Sequence, residues 1–298
     1  MRTMFKNSLP ALIGLSIGLS LFFTAGWWGF LLVFPWIGAC ISLGYFIASK
    51  RKGKARDLGR RIAILMIAPV FLIFLGIIQR ENLQIEETVF YVYLFILTGL
   101  FIRVLVHYAI AKVFGPLIWG RGFCGWACWT AAVLEWLPIK ENKKIPAKYG
   151  KIRFAVLIVS LCIPIAFILL GYDWVTMHIN ESSEGIMQTG KLGGLLWFLV
   201  GNALYYIVAI ILAFKFKKKR AFCKILCPVS LVMKPTASLA LIRKKPTGNE
   251  CTQCGSCSKN CPMDVDVMSF IKSGKPIHSS ECILCGICSD ICPTKAIK

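Results

Sequence analysis

Apolar residues in this chain come in long runs, separated by short stretches where lysine and arginine concentrate. A helix needs about 20 apolar residues to cross the hydrocarbon core of a bilayer. Six runs approach that length: Leu9 to Ala25, Gly29 to Ser49, Ile62 to Ile78, Thr88 to Ile110, Ile152 to Gly171 and Leu192 to Phe214. The first two read as a retained hairpin turning at Gly26-Trp27-Trp28, because no small-residue cleavage site precedes the second. Two further stretches, Gly115 to Pro138 and Ala221 to Ala240, are apolar but interrupted, and read as interfacial or re-entrant helical segments whose backbone protein must bury. The pattern predicts an all-α polytopic membrane protein of about six spans.

Charge orients the bundle. Only 16% of residues are charged, against about 25% in soluble domains, yet the net charge is +21. Residues 50–61 hold seven Lys/Arg, Lys112 to Arg153 hold eight, and the chain after Phe214 holds fifteen. The intervening segments Gln79 to Glu87 and Tyr172 to Lys191 carry one cation each, and the acids Glu81, Glu86, Glu87, Asp173, Glu181 and Glu184. The positive-inside rule places both termini in the cytoplasm; the membrane expected is the inner membrane of a prokaryotic cell. Cations gathered at helix ends suit lipid headgroups and argue against nucleic acid.

Eight of the fourteen cysteines fall in the last 48 residues, in two runs at a 31-residue offset. These are Cys251-x2-Cys254-x2-Cys257-x3-Cys261-Pro262 and Cys282-x2-Cys285-x2-Cys288-x3-Cys292-Pro293. Reducing cytoplasm disfavours disulfides, and zinc knuckles need no third cysteine after two residues and no fourth before proline. A [4Fe-4S] cube takes three thiolates from one tight loop and the fourth from the other half of the module. Cluster one is therefore assigned to Cys251, Cys254, Cys257 and Cys292, and cluster two to Cys261, Cys282, Cys285 and Cys288. Residues 246–298 resemble the bacterial-type two-[4Fe-4S] ferredoxins, which implies a small α+β module relaying single electrons. The domain division is then 1–245 for the membrane part and 246–298 for the module.

A second repeat lies in the membrane part. Arg121-Gly122-Phe123-Cys124-x3-Cys128 returns 99 residues later as Arg220-Ala221-Phe222-Cys223-x3-Cys227-Pro228. The repetition argues an internal duplication. On one helix, positions i and i+4 share a face at about 5–6 Å, which suits two ligands to one centre better than a disulfide. Cys124, Cys128, Cys223 and Cys227 are candidate redox or metal thiols for a further cluster or metal. With these motifs, residues 60–298 resemble the membrane polyferredoxins related to the NapH-like membrane component of the nitrate reductase quinol dehydrogenase and to NosR-like maturation proteins. The resemblance implies quinol oxidation, with electrons exchanged between the quinone pool and a partner oxidoreductase. Trp129 stands where the family's first motif has proline, and no flavin (FMN) domain is expected.

Arg103 and His107 lie four residues apart in the fourth apolar run and offer a donor and a proton acceptor, a candidate quinone site. The three histidines, His107, His178 and His278, fall in different parts of the chain, which disfavours a bis-histidine haem. His178, with Tyr172, Asp173 and Trp174, reads as an outer loop forming an aromatic belt or an outside quinol or partner site. A copper-reducing assembly factor of the cytochrome oxidase assembly type, or a cluster-based redox sensor, are the competing functions.

Overall fold

The structure is a computed structural model that describes residues 2–99, 101–180, 186–189 and 191–298. Among the described residues five helices are long and apolar enough to cross a membrane: Asn7–Ala25, Phe30–Ser49, Gly53–Ile78, Ala147–Leu169 and Leu192–Lys215. The expected span from Thr88 to Ile110 is not continuous. Its helix, Ile85–Thr98, stops at Gly99 in the left-handed conformation (φ 67°), and Phe101–Ile102 is extended. Helix resumes at Arg103–Tyr108 and passes into wider π-helical turns over Ala109–Phe114. A glycine adopts positive φ without steric cost, so Gly99 ends the helix where an alanine would have continued it. Among the described residues five helices reach spanning length, against the six expected.

By contacts the chain forms two compact units: Met1–Val70 with Gly122–Pro138 and Arg243–Lys298, and Phe71–Arg121 with Ile139–Ile242. This is a different cut from a division at residue 245. The C-terminal module shares a unit with the first three helices and with the segment that carries Cys124 and Cys128.

In the first unit, helices α1 (Arg2–Ala25), α2 (Phe30–Ser49) and α3 (Asp57–Pro69) pack through glycine. A Cβ placed on Gly38 would lie 2.4 Å from the Pro10 carbonyl oxygen, and one on Gly59 would lie 2.1 Å from that of Gly44. Lipid supplies little hydrophobic drive between helices, so close backbone approach and interhelical hydrogen bonds must hold them. Two such bonds are present. The Ala11 amide donates to Ser42 Oγ (3.0 Å), and Trp36 Nε1 donates to the Met66 carbonyl (2.9 Å). The C-terminal module closes on itself where Lys245 and Lys298 exchange backbone hydrogen bonds (3.1 and 2.9 Å) around an antiparallel bridge between Pro246 and Ile297. Otherwise it consists of short helices, Ser256–Lys259, Val267–Lys272 and Ile287–Asp290, with no strand among its described residues. The α+β character expected of it is therefore reduced to that one bridge.

The second unit holds α4 (Ile85–Thr98), α5 (Ile152–Leu169) and α6 (Leu192–Lys215). An all-α bundle was the expectation, but a small sheet also forms here. Phe101–Ile102 pairs parallel with Ile186–Met187, and Ile179–Asn180 pairs antiparallel with Gln188–Thr189.

Gly59→Leu should force α2 and α3 apart. Overpacking of this kind costs about 1–3 kcal/mol. A detergent-solubilised variant is expected to unfold at lower denaturant concentration than the parent with its helix content retained beforehand, as followed by circular dichroism.

Candidate functional site

The 31-residue repeat of the cysteine runs is repeated in backbone geometry. Gln253, Gly255 and Asp264 have positive φ, as do Leu284, Gly286 and Lys295 at the same offset. Each loop leads into a one-turn helix, and each fourth cysteine accepts a backbone hydrogen bond four residues on. The Val265 amide donates to Cys261 Sγ (3.4 Å) and the Ala296 amide to Cys292 Sγ (3.3 Å). The left-handed residues fold each run back on itself, which brings its first three cysteines to one cavity and sends the fourth to the other. One cavity is lined by Cys251, Cys254, Cys257 and Cys292, and the other by Cys261, Cys282, Cys285 and Cys288. Burial pushes Cys285 up to about 11, against the pull of the Arg60 cation, and Cys288 up to about 12. Without a metal these thiols hold their protons at neutral pH, so a metal centre would have to displace them. Among the described residues no group of three or more Cys, His, Asp or Glu is arranged to hold a single metal ion.

The segment carrying Cys124 and Cys128 packs directly on the second of these loops, within the same unit. A Cβ on Gly125 would stand 2.1 Å from the Ile283 carbonyl oxygen, and Trp126 Nε1 donates to the Leu284 carbonyl (3.1 Å). Arg60, 2% exposed, sits behind this contact. Its guanidinium donates to the Gly125 carbonyl (2.9 Å) and pairs with Asp57 (2.7 Å) and Glu135 (3.1 Å). Arg56 pairs with Asp290 of the module (2.7 Å).

The two Cys-x3-Cys pairs are not on continuous helices. Helix Gly122–Trp126 ends before Cys128, whose backbone is extended (ψ 120°) and caps the next helix, Trp129–Leu134. Helix Ala221–Ile225 likewise ends before Cys227. Both endings use the same wide turn: the Cys128 amide donates to the Phe123 carbonyl and the Cys227 amide to that of Phe222, each at 3.0 Å. The expected i, i+4 helical face is thus replaced by a helix end, and the two copies share it. The Cys227 carbonyl accepts from Ser230 Oγ (2.7 Å), which also receives Arg153 (3.3 Å).

Two of the acids assigned to an outer loop, Glu81 and Glu87, are buried together with His178, whereas Asp173 is exposed and Glu181 and Glu184 lie outside the described residues. Glu81, Glu87 and His178 are 1%, 0% and 0% exposed. His107 Nδ1 lies 3.7 Å from Glu81 Oε2, so His107 faces a carboxylate; the side chain of Arg103 lies outside the described residues. His178 Nδ1 lies 2.5 Å from Glu87 Oε1 and its Nε2 lies 3.0 Å from the Tyr172 hydroxyl. Burial raises the Glu87 carboxyl above its ordinary range, with His178 opposing. Trp174, 2% exposed and stacked on Phe90, belongs to this core and not to an interfacial belt. Glu86 accepts hydrogen bonds from Ser160 (2.7 Å) and Tyr205 (3.0 Å). Sequence reasoning singled out none of Ser160, Tyr205 or Arg60. The available signal was a hydroxyl inside each of two otherwise apolar spans.

Two family models match. Residues 250–297 match a 4Fe-4S dicluster domain, and residues 108–146 and 195–247 match a 4Fe-4S binding domain. Each of the latter pieces contains one Cys-x3-Cys pair. These matches mark an iron–sulfur protein, and five of its described helices are long and apolar enough to span a membrane. The chain is 24% and 25% identical to two uncharacterized proteins of Methanocaldococcus jannaschii, over 62% of its own length and 74% and 82% of theirs. It is 29% identical to YccM of Escherichia coli K12, named with a provisional role in electron transport, over 55% of this chain and 47% of that one. No solved structure matches.

Gly125→Leu should separate the Cys124 segment from the Ile283–Cys285 loop. Faster amide hydrogen exchange is expected at residues 283–286, with exchange in α1 and α2 unchanged.

Proposed function

We propose that this chain is a membrane quinol dehydrogenase subunit that carries electrons between the quinone pool and a partner redox protein. The observation that carries the reading is the interleaving of the two cysteine runs into two four-thiol cavities. In this reading residues 246–298 are a ferredoxin-like module, with cluster one on Cys251, Cys254, Cys257 and Cys292 and cluster two on Cys261, Cys282, Cys285 and Cys288. Two bound [4Fe-4S] clusters would supply adjacent one-electron carriers, the form in which a two-electron quinol is most readily drained. The amides of Val265 and Ala296 donate to the two crossing sulfurs, and such hydrogen bonds tune cluster potential.

The match of a 4Fe-4S binding domain to both Cys-x3-Cys segments supports Cys124, Cys128, Cys223 and Cys227 as iron–sulfur ligands rather than packing residues. The charge distribution supports an N-in, C-in arrangement in a prokaryotic inner membrane, with the module on the cytoplasmic side.

The test is anaerobic purification of the full chain, followed by electron paramagnetic resonance on addition of naphthoquinol or benzoquinol. Cluster signals that appear with quinol support the reading; iron and acid-labile sulfide without quinol reduction would remove the quinol step. Interleaving makes a sharper demand. Cys292→Ser and Cys251→Ser are expected to lose the same cluster signal, whereas Cys261→Ser should lose the other.

A further inference from the structure

The second unit contains a cavity of about 640 Å³ between α5 and α6. It runs from Val156 to Phe167 on one helix and from Leu196 to Val208 on the other, roughly 16 Å at 1.5 Å per residue. Its wall is almost wholly apolar, and its rim is made of side chains that face outward: Val159, Val200 and Leu204 are 57%, 59% and 59% exposed. On helices of this length and hydropathy an outward apolar rim opens toward lipid, so the occupant arrives from the bilayer. Phe167 and Trp197 form an edge-to-face pair on the wall, ring centroids 5.0 Å apart.

One carboxyl side chain reaches this cavity, that of Glu86 at the start of α4, with Gln84, Ser160 and Tyr205 as the other polar side chains of the lining. Its Oε1 takes both hydroxyls, from Ser160 and Tyr205. Its Oε2 is buried and has no hydrogen-bond partner. A buried carboxylate oxygen left unpaired is costly, and a ligand that donates a hydrogen bond there recovers that cost. The same charge repels a fatty-acid carboxylate or a lipid phosphate. The occupant is therefore apolar, elongated, aromatic enough for a wall of Phe and Trp, and neutral with a hydroxyl donor at one end. Phe222 and Leu226, which also line the cavity, directly precede Cys223 and Cys227 respectively.

We propose that this cavity is the quinol-binding site, with the Glu86 carboxylate accepting a hydrogen bond from one hydroxyl of a polyprenyl hydroquinone. The proposal rests on the quinol reading above and moves its site away from His107, which does not line the cavity. It also gives the site a preference. A hydroquinone donates hydrogen bonds and the oxidised quinone only accepts them, so the reduced form binds more tightly by about tenfold or more, the range for a hydrogen bond to a charged group.

The test uses holoprotein in phosphatidylcholine vesicles under anaerobic conditions. Binding of a short-chain menaquinone is read from quenching of tryptophan fluorescence, and dithionite-reduced protein is used for the quinol so that no turnover occurs. Glu86→Gln, which preserves shape, is expected to abolish the preference for the reduced form, and Ser160→Phe to cut affinity at least tenfold; iron content reports that each variant folds. Unchanged affinity and preference in both variants, with quinol still reducing the clusters, overturns the cavity assignment and leaves the electron-carrier reading standing. Absence of both binding and cluster reduction in the parent protein overturns the two together. Recovery of phospholipid alone from the purified protein, with no competition by menaquinol, also overturns the assignment.

Discussion

A guanidinium with almost no access to water holds the first unit together. Arg60 is 2% exposed and answers two carboxylates and a backbone carbonyl, from its own helix and from the Cys124 segment. A buried cation stripped of any one partner is expensive, because the remaining charge has neither water nor counter-ion. That constraint fixes where Gly125 lies, and Gly125 in turn meets the Ile283–Leu284 loop so closely that no side chain fits between them. The Cys285 thiol feels the same cation. Membrane helix, thiol segment and cysteine module are thus tied through one side chain.

The second unit handles charge by the same rule with the signs reversed. Three carboxylates enter it on the Glu81–Glu87 stretch, and each meets a partner: Glu81 with His107, Glu87 with His178, Glu86 with two hydroxyls. Of the three, Glu86 is the one that lines the apolar cavity, and its second oxygen is buried there without a hydrogen bond. Polar groups in an apolar setting mark function more reliably than apolar ones, because only they carry a cost that evolution has reason to keep.

Both internal repeats were legible as spacing, and their geometric consequences were not equally so. The 31-residue repeat reappears as matched left-handed residues, matched helices and matched amide-to-sulfur bonds, since short loops with several thiols and glycine at set positions leave the backbone few choices. The 99-residue repeat reappears as two matched helix ends. The spacing of Cys124 and Cys128 predicts one helical face, yet the helix ends between them, and nothing in a four-residue spacing distinguishes a continuing helix from a closing turn.

Composition and periodicity alone determined that the chain is membrane-spanning and that its tail carries two sets of four thiols, because bilayer thickness and cluster ligation impose lengths and spacings directly on sequence. They did not determine that Gly99 interrupts the fourth apolar run, that Glu86 turns inward, or that Arg60 anchors the first thiol segment. Those outcomes depend on which helices lie side by side, and a charged residue reads the same in sequence whether water or a partner far along the chain satisfies it. Only the tertiary structure brings Ser160 and Tyr205 to Glu86, and so only it shows where a hydroxyl from the bilayer could be received.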